Sequence, residues 1–282
     1  MDTGLQDKVV FLTGASGGIG RALAPAFAAE GAWIALQGFR QFEELEAVVA
    51  ASGWADRALC LRADVTRPDE LEAAFERVLE RWGRVDACVA NAGIWPPEDV
   101  PLHRLTEERL RGVVDVNLFG AVWTARAFLG ALARTGPRPD GHGASLVFTG
   151  STAGRFGERG HADYALGKAA LHGLVQTLKN EIVALDPYGR VNLVEPGWTV
   201  TAMARPALRE PENIRRAVRT MPLRQLARSA DIARTAVFLS SPTLARHLTG
   251  QTLTVAGGME GRLLWSEEEI DVGEIQGRLG RE

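Results

Sequence analysis

The chain has 282 residues, and 46% of them are hydrophobic, so it can bury a large core in one or two domains. Its formal net charge of −3 and its pI of about 6.0 show no basic excess, which argues against nucleic acid as a partner and favours small-molecule chemistry. No charged and apolar leader follows Met1 and no apolar run approaches the roughly 18 residues of a membrane helix, so we expect a soluble cytoplasmic protein with no membrane partner.

A buried strand is predicted from Lys8 to Thr13, followed by a glycine-rich turn and an alanine-rich helix from Arg21 to Glu30. Glycines allow the backbone to approach a phosphate, and the N-terminus of a helix favours its negative charge. A tight turn built only for packing is the alternative, but the order of strand, glycine turn and helix favours a dinucleotide site. The residues of this candidate site are Gly14, Ser16, Gly18, Ile19 and Gly20.

The second predicted strand, Trp33 to Leu36, leads to Phe39 and Arg40, where the chain would meet the adenosine ribose of a dinucleotide. An acid at this turn would hold the 2′-hydroxyl of NAD, whereas an arginine can accept the 2′-phosphate of NADP. The turn contains no acid, so Arg40 favours NADP over NAD, unless it is only a solvated charge at the start of a helix. Phe39 is expected to wall the adenine ring.

Asp64 follows the third predicted strand, Ala58 to Leu61, and Val65 stands next to it. Its carboxylate could accept a hydrogen bond from an adenine amino group, or it could cap the turn before Thr66. A helix is predicted from Thr66 to about Trp82, because a hydroxyl, an early proline and two acids mark its beginning.

The fourth predicted strand, Val85 to Ala90, ends at Asn91 and Gly93, where small residues leave room for a flat cofactor. Cys60 and Cys88 lie in apolar, strand-like runs and have no His or Cys partner at metal-ligand spacing. We therefore expect reduced core cysteines and no metal site.

Trp95 opens a stiff apolar loop that could wall a substrate or merely cover the core. Two helices are predicted after it, over Thr106 to Asp115 and over Val116 to Ala133. Asn117 stands among apolar residues near the start of the second helix, so it needs hydrogen-bond partners if it is buried.

Tyr164 and Lys168 are the most informative pair, in a chain with only two tyrosines and three lysines. They are four residues apart on a predicted helix, so both lie on one face, about 6 Å apart at Cβ. A neighbouring ammonium lowers the pKa of a tyrosine from about 10, which makes proton exchange with a carbonyl or alcohol feasible. Ser151 follows a short apolar strand, and its hydroxyl could hold a substrate oxygen. The alternative is that Tyr164 and Lys168 are only a surface pair and that Ser151 is an ordinary turn residue.

A sixth strand, Arg190 to Val194, ends in a turn with further candidate cofactor contacts. These are Pro196, Gly197, Thr199 and Thr201. The stretch from Met203 to Met221 carries several arginines and prolines and predicts a mobile substrate lid within about residues 198–222, although a solvated basic face is the alternative. The last strand is predicted over Thr252 to Val255.

Together these features resemble the short-chain dehydrogenase/reductase family over about residues 5–259. The resemblance is carried by TGASGGIG at 13–20, Asp64, ANAG at 90–93, Asn117, Ser151, Tyr164 with Lys168, and PGWTVT at 196–201. It implies an α/β fold with a single Rossmann-like doubly wound domain over residues 1–259, in which helices cover both faces of a seven-stranded parallel sheet. It also implies hydride transfer between NADP or NAD and a ketone or secondary alcohol, usually by a homotetramer or otherwise a homodimer.

By the same resemblance, Tyr164 is the acid/base, Lys168 lowers its pKa and holds the nicotinamide ribose, and Ser151 orients the substrate oxygen. Asn117 would anchor a proton-relay water. The implied cofactor contacts are Gly14, Gly18 and Gly20 at the pyrophosphate, Asp64 at adenine, Asn91 near the adenosine ribose and Thr201 at the carboxamide or phosphate, with Ser16, Ile19, Phe39, Arg40, Val65, Gly93, Pro196, Gly197 and Thr199 beside them.

Residues 260–282 extend past the usual end of the family. A capping-box pattern begins at Ser266, directly after Leu264 and Trp265. Because a short helix is marginal in water, we expect these apolar side chains to dock at a subunit interface, with a frayed tail as the alternative.

The leading hypothesis is an NAD(P)-dependent oxidoreductase that resembles 3-oxoacyl carrier-protein reductases. A 3-hydroxy acid dehydrogenase and a sugar or polyol dehydrogenase remain open, because specificity depends on the loops at Trp95 and 198–222. A nucleotide-sensing binding protein without chemistry is the alternative from another class. The intact set of Ser151, Asn117, Tyr164 and Lys168 argues against it.

Overall fold

The structure is a computed structural model that describes residues 1–201 and 207–279. Its strands are β1 (Val9–Leu12), β2 (Trp33–Gly38), β3 (Ala58–Arg62), β4 (Ala87–Ala90), β5 (Ser145–Thr149), β6 (Arg190–Pro196), β7 (Thr199–Val200), β8 (Ala227–Arg228) and β9 (Thr252–Val255). Its α-helices are α1 (Gly20–Ala29), α2 (Phe42–Ala50), α3 (Pro68–Trp82), α4 (Glu107–Val114), α5 (Gly120–Thr135), α6 (Thr152–Phe156), α7 (Ala162–Glu181), α8 (Pro211–Val218), α9 (Ser229–Ser240) and α10 (Val272–Leu279).

Within the described residues, seven parallel strands form one sheet in the order β3-β2-β1-β4-β5-β6-β9. Leu12 of β1 pairs with Leu36 of β2 on one side and with Val89 of β4 on the other. The chain therefore winds outward from β1 in both directions, and the direction reverses between β1 and β4. In such sheets ligands bind beyond the carboxyl ends of the strands at this reversal.

Helices cover both faces of the sheet, and the side chains of β1 show why. Val9 and Phe11 join a core with Phe75 of α3, Phe128 of α5 and residues of α7, whereas Val10 and Leu12 join a core with α1 and α9. Successive side chains of a strand point to opposite faces, so a strand buried on both faces is apolar along most of its length. This is the doubly wound, Rossmann-like arrangement that the sequence predicted, and that prediction is confirmed.

The two helices predicted over 106–115 and 116–133 are one continuous helical stretch, joined by a π-helical turn at Asp115–Phe119. Among the described residues this stretch, Glu107–Thr135, is long and apolar enough to span a membrane by length and composition. Half of its apolar window is buried inside the protein, and α5 packs against α3. A core helix passes the same test, so this stretch gives no support to a membrane location.

The predicted lid region contains β7 and α8, with β7 pairing with β8. Met203 and Arg205, which were predicted to belong to the lid, lie outside the described residues. Ala217 and Met221 are buried in a small apolar cluster with Ala256 and Met259, and this cluster attaches α8 to the end of β9.

Candidate active site

A cleft of about 1360 Å³ lies beyond the carboxyl ends of the strands, where the sheet reverses direction. The predicted site residues that line it are Gly14, Ser16, Gly18, Ile19, Phe39, Arg40, Asp64, Val65, Asn91, Gly93, Ser151, Tyr164, Lys168, Pro196, Gly197, Thr199 and Thr201. Two predicted residues lie behind this wall. Gly20 is buried at the start of α1, and Asn117 is fully buried in the π-helical turn.

The glycine-rich turn approaches the chain that follows β4 too closely for side chains. Gly14 has a φ of +64°, and a Cβ on it would stand 2.8 Å from Cα of Ala92. A Cβ on Gly20 would meet the carbonyl oxygen of Gly14 at 2.1 Å, so the first turn of α1 packs directly on the glycine turn. Since the first amides of a helix lack intrahelical partners, this edge of the cleft suits a phosphate.

Gln37 holds the glycine-rich turn in place, a role that was not predicted from the sequence. Its side-chain oxygen accepts from the amide of Gly14 at 2.8 Å, and its side-chain nitrogen donates to the carbonyl of Ala63 at 2.5 Å. The side chain is buried, so these bonds satisfy polar groups that water cannot reach. A polar residue in a buried strand was the signal that could have marked it.

Asn91 is fixed by a second buried polar group. The hydroxyl of Thr13 accepts from the amides of Asn91 and Ala92 at 3.0 and 3.1 Å, and the side-chain nitrogen of Asn91 donates to the carbonyl of Thr13 at 3.1 Å. The hydroxyl of Thr149 donates to the side-chain oxygen of Asn91 at 3.3 Å. The ends of β1, β4 and β5 are thus joined at the floor of the cleft.

Asp64 uses its carboxylate in the capping arrangement that the sequence left open. Its Oδ1 accepts from the amide of Thr66 at 2.9 Å and from the hydroxyl of Thr66 at 2.8 Å. Asp64 also lines the cleft, so the turn holds it at the edge of the cleft.

Asn117 satisfies its side chain entirely with backbone groups. Its Oδ1 accepts from the amide of Ile94 at 3.1 Å, and its Nδ2 donates to the carbonyls of Ile94 and Val113 at 2.9 and 3.0 Å. A Cβ on Gly93 would stand 2.7 Å from this Oδ1 and 3.3 Å from Nζ of Lys168. Gly93 therefore lets the chain after β4 run between Asn117 and Lys168.

Tyr164 lies in the first turn of α7, where one buried ion pair and the ring of Trp95 fix its position. Asp163 is fully buried; its Oδ1 accepts from the amide of Tyr164 at 2.9 Å and its Oδ2 from Nε of Arg109 at 2.8 Å. Trp95 meets the ring of Tyr164 edge-on at 4.7 Å and stacks on the imidazole of His161 at 3.8 Å. Trp95 is thus a wall of the cleft, which was one of its two predicted alternatives.

Lys168 reaches the floor of the cleft from the next turn of α7. Its Nζ donates to the carbonyl of Thr149 at 2.8 Å and lies 5.8 Å from the centroid of the Tyr164 ring. Burial lowers the pKa of Lys168 from 10.5 to about 8, because the folded protein takes the ammonium out of water.

The pKa of Tyr164 differs from the sequence expectation. Burial raises it above its ordinary value of 10, and a hydrogen bond with Ser151 opposes the rise. Lys168 was expected to lower this pKa, but in the structure burial of the phenol dominates. Ser151 caps α6, where its hydroxyl accepts from the amide of Ala153 at 3.1 Å.

Comparison with known proteins decides the family. Residues 14–260 match the family model described as Enoyl-(Acyl carrier protein) reductase, within the adh_short_C2 group. The chain is 31% identical over 260 residues to a 3-oxoacyl-[acyl-carrier-protein] reductase of Synechocystis sp., covering 91% of this chain and 98% of that protein. It is 33% identical over 255 residues to the enzyme of the same name from Escherichia coli, covering 90% and 98%.

Two further relatives carry other names. The chain is 32% identical over 260 residues to an L-rhamnose 1-dehydrogenase (NAD(P)(+)) of Sphingomonas sp., covering 90% of this chain and 97% of that protein. A solved short-chain dehydrogenase/reductase structure from Brucella melitensis, titled glucose/ribitol dehydrogenase, superposes with a TM-score of 0.81 at 31% identity, covering 92% of this chain and 98% of that one.

The chain belongs to the short-chain dehydrogenase/reductase family. It is an NAD(P)-dependent oxidoreductase that acts on CH–OH and C=O groups of small molecules. The described residues of this short-chain dehydrogenase/reductase fit a nicotinamide dinucleotide, because the cleft joins the glycine turn and the start of α1 to Tyr164 and Lys168. The resemblance seen in the sequence is thereby confirmed at the level of family, fold and reaction class.

Proposed function

We propose that this chain interconverts a ketone and a secondary alcohol with NADP, and that Tyr164 is its acid/base. The observation that carries the proposal is the convergence of Ser151, Tyr164 and Lys168 on the cleft that begins at the glycine turn. The nicotinamide ring, when bound, supplies or accepts the hydride. The remaining work is positioning and proton transfer, and it falls to residues of the chain.

Tyr164 is proposed to donate the phenolic proton to the substrate oxygen during reduction and to take it back during oxidation. Its pKa is raised by burial, so the neutral phenol is favoured, and a neutral phenol is the form that donates. The hydroxyl of Ser151 acts to lower the pKa of Tyr164 and lines the same cleft, which supports a role in orienting the same substrate oxygen. Trp95 contacts the ring of Tyr164 edge-on, which supports a fixed position of the phenol.

Lys168 is proposed to favour the phenolate that forms when Tyr164 gives up its proton, because a positive charge close to a phenol stabilises the charged form. Its bond to the carbonyl of Thr149 directs the ammonium towards the floor of the cleft, where it could also hold the nicotinamide ribose. Asn117 is proposed to order the proton path beside Lys168, and its fully bonded side chain supports a fixed π-helical turn for this task.

The preference for NADP rests on Arg40. Arg40 is exposed and lines the cleft beside Phe39, at the turn after β2 where the 2′-group of the adenosine is expected. A guanidinium binds a phosphate through charge-assisted hydrogen bonds. The other predicted cofactor contacts, from Gly14 to Thr201, are proposed in the roles that the resemblance implies.

The same proposal covers the assembly, the location and the domain. We expect a homotetramer, or otherwise a homodimer, in the cytoplasm, with residues 1–259 as one catalytic domain. Two exposed apolar side chains, Phe119 at the π turn and Leu166 on α7, support contacts between subunits.

A panel of ketones and secondary alcohols, assayed with NAD and NADP in parallel, tests the proposal. It should include 3-oxo and 3-hydroxy thioesters, free hydroxy acids and polyols, because the named relatives leave these classes open. Tyr164-dependent reduction or oxidation of one class supports the proposal. If dinucleotide binds in calorimetry but no compound of the panel changes the absorbance of its nicotinamide ring, the result favours a nucleotide-binding protein without chemistry.

A further inference from the structure

The beginning of the C-terminal extension lines the cleft of its own chain. The matched family region ends at residue 260. Arg262 and Leu263, which lie just beyond that region, line the cleft. The sequence predicted that the neighbouring Leu264 and Trp265 dock at a subunit interface. In the structure both are exposed, while the residues just before them contact the body of the same chain.

Arg262 fastens the extension to the wall of the cleft. Its Nε donates to Oε2 of Glu158 at 2.7 Å, and a terminal nitrogen donates to the hydroxyl of Thr152 at 3.2 Å. Only 13% of the Arg262 side chain and 20% of the Glu158 side chain are exposed. An ion pair so far removed from water is held more firmly than a surface pair. The extension is therefore part of the pocket wall at this point.

Arg216 joins the same wall from α8. One of its terminal nitrogens donates to the carbonyl of Leu263 at 3.2 Å, and Arg216 itself lines the cleft. The next residue, Ala217, is buried in the apolar cluster that attaches α8 to the end of β9. Because the helix is held in this way, the exposed side chain of Arg216 is kept at the edge of the cleft.

The cleft has an excess of basic side chains. The described residues that line it include six basic side chains and four acids: Arg40, Arg104, Arg159, Lys168, Arg216 and Arg262, with Asp64, Asp99, Asp115 and Glu158. Glu158 is already paired with Arg262, and the carboxylate of Asp99 lies 3.5 Å from the imidazole of His161. The basic side chains that line the cleft therefore outnumber the acids that line it.

One carboxylate of the chain already responds to both Arg159 and Arg216. The pKa of Glu269, in the extension, is lowered first by hydrogen bonds with the backbone and side chain of Ser266, and further by the charges of Arg159 and Arg216. Two guanidinium groups that act on one carboxylate are placed to act on another.

We propose that the extension completes the substrate pocket in its own chain, and that Arg159 and Arg216 at this wall select a substrate that carries a carboxylate. The inference rests on the proposed function, because it assigns the substrate class of the same cleft. It favours an oxo or hydroxy acid over a neutral sugar. Arg262 acts as a positioning residue, since its own charge is paired with Glu158, whereas Arg159 and Arg216 determine specificity.

The test is calorimetry on the full chain with a saturating amount of whichever oxidised dinucleotide it binds more tightly. A ketone cannot be reduced under these conditions, so binding is measured without turnover. The probes are 3-oxobutanoate, 4-oxopentanoate and 5-oxohexanoate, each beside its methyl ester. We expect at least one acid to bind tenfold or more tightly than its ester, and Arg216→Gln or Arg159→Gln to remove most of this advantage.

Arg215→Gln is the matched control, because Arg215 lies on the same helix, pairs with Glu212 at 3.3 Å and does not line the cleft. Equal binding of every acid and its ester, no detectable binding of any acid, or an equal loss in Arg215→Gln would overturn the proposal. Reduction of the neutral esters with reduced dinucleotide is assayed separately. Turnover of an ester without any preference for acids would leave the reaction in place and remove only the carboxylate specificity.

Discussion

The ammonium of Lys168 donates to the carbonyl oxygen of Thr149 at 2.8 Å, deep in the cleft and one helical turn from Tyr164. A carbonyl dipole compensates only part of the cost of removing a charge from water. The pKa of Lys168 accordingly falls to about 8. The protein therefore keeps a costly charge beside the phenol, which is an arrangement typical of functional sites.

The lowered pKa of Lys168 predicts how stability depends on pH. Below about pH 8 the lysine is charged in both the folded and the unfolded chain, and the folded state bears the full cost. Between about pH 8 and pH 10.5 the folded state loses the proton first, so the free energy of unfolding rises with pH. Relative to Lys168→Met, the parent should gain about 2 kcal/mol between pH 7 and pH 9.5.

Urea unfolding of both proteins at these two pH values measures the effect. The comparison with Lys168→Met removes the contributions of all other titrating groups, and Lys179→Met, at a half-exposed position on the same helix, is the matched control. A difference between parent and Lys168→Met that stays constant with pH would show that Lys168 titrates as it does in the unfolded chain.

The second prediction concerns the proton that Tyr164 transfers. Tyr164→Phe should lower kcat by about 10²- to 10⁴-fold, the usual contribution of a general acid/base, and leave the dissociation constant of the dinucleotide unchanged. The ring contact with Trp95 does not need the hydroxyl, so the pocket wall is kept. Stopped-flow or steady-state rates beside a fluorescence titration of the cofactor provide the two numbers.

Tyr188→Phe is a natural control, because Tyr188 is the other tyrosine of the chain and is exposed outside the cleft. Tyr188→Phe should leave kcat and the dissociation constant of the dinucleotide as they are in the parent. A Tyr164→Phe enzyme that keeps its rate within tenfold of the parent would exclude Tyr164 as the acid/base.

The third prediction concerns the ion pair between Arg109 and Asp163 that fixes the first turn of α7. Asp163 is fully buried, so Arg109→Ala leaves a carboxylate without its cation and should lower the free energy of unfolding by about 3 kcal/mol. Arg111→Ala, which breaks an exposed pair with Glu107 one turn of the same helix away, should cause no measurable change.

Unfolding in urea compares the two variants, and the activity of Arg109→Ala adds a second readout. Because Asp163 also accepts from the amide of Tyr164, kcat should fall in Arg109→Ala and remain unchanged in Arg111→Ala. Similar stabilities for both variants would mean that the buried aspartate finds other partners.

Local patterns account for what the sequence predicted well. The spacing of Tyr164 and Lys168 depends only on helix geometry, and the glycine turn depends on close approach within one strand, turn and helix. Apolar runs likewise identified the buried strands, because a strand covered on both faces carries few polar residues. The fold class and the main wall of the cleft could therefore be predicted from short stretches of chain.

Contacts between distant segments could not be predicted in the same way. Gln37 binds the backbone at Gly14 and Ala63, and Arg262 binds Glu158 across about a hundred residues, so neither partner is visible in a local pattern. The direction of the Tyr164 pKa was missed for a related reason. It depends on how much of the phenol the fold removes from water, which the spacing to Lys168 does not reveal.

The last prediction concerns the choice of cofactor. Arg40 is exposed at the edge of the cleft, next to Phe39 and after a strand that ends without an acid. If its guanidinium binds the 2′-phosphate, Arg40→Ala should weaken NADP binding by roughly 10- to 100-fold, the range expected when a charge-assisted hydrogen bond is lost, and leave NAD binding nearly unchanged.

Arg62→Ala is the matched control for the choice of cofactor. Arg62 is also exposed and near the end of a neighbouring strand, but it pairs with Glu43 and does not line the cleft, so its loss should affect neither cofactor. The dissociation constants of NAD and NADP are measured for each protein at low and at high salt. A contact between arginine and phosphate weakens as ions screen it, so salt should weaken NADP binding through Arg40. If Arg40→Ala weakens the binding of NAD and NADP equally, Arg40 does not select between the two cofactors. NAD would then be the better candidate cofactor.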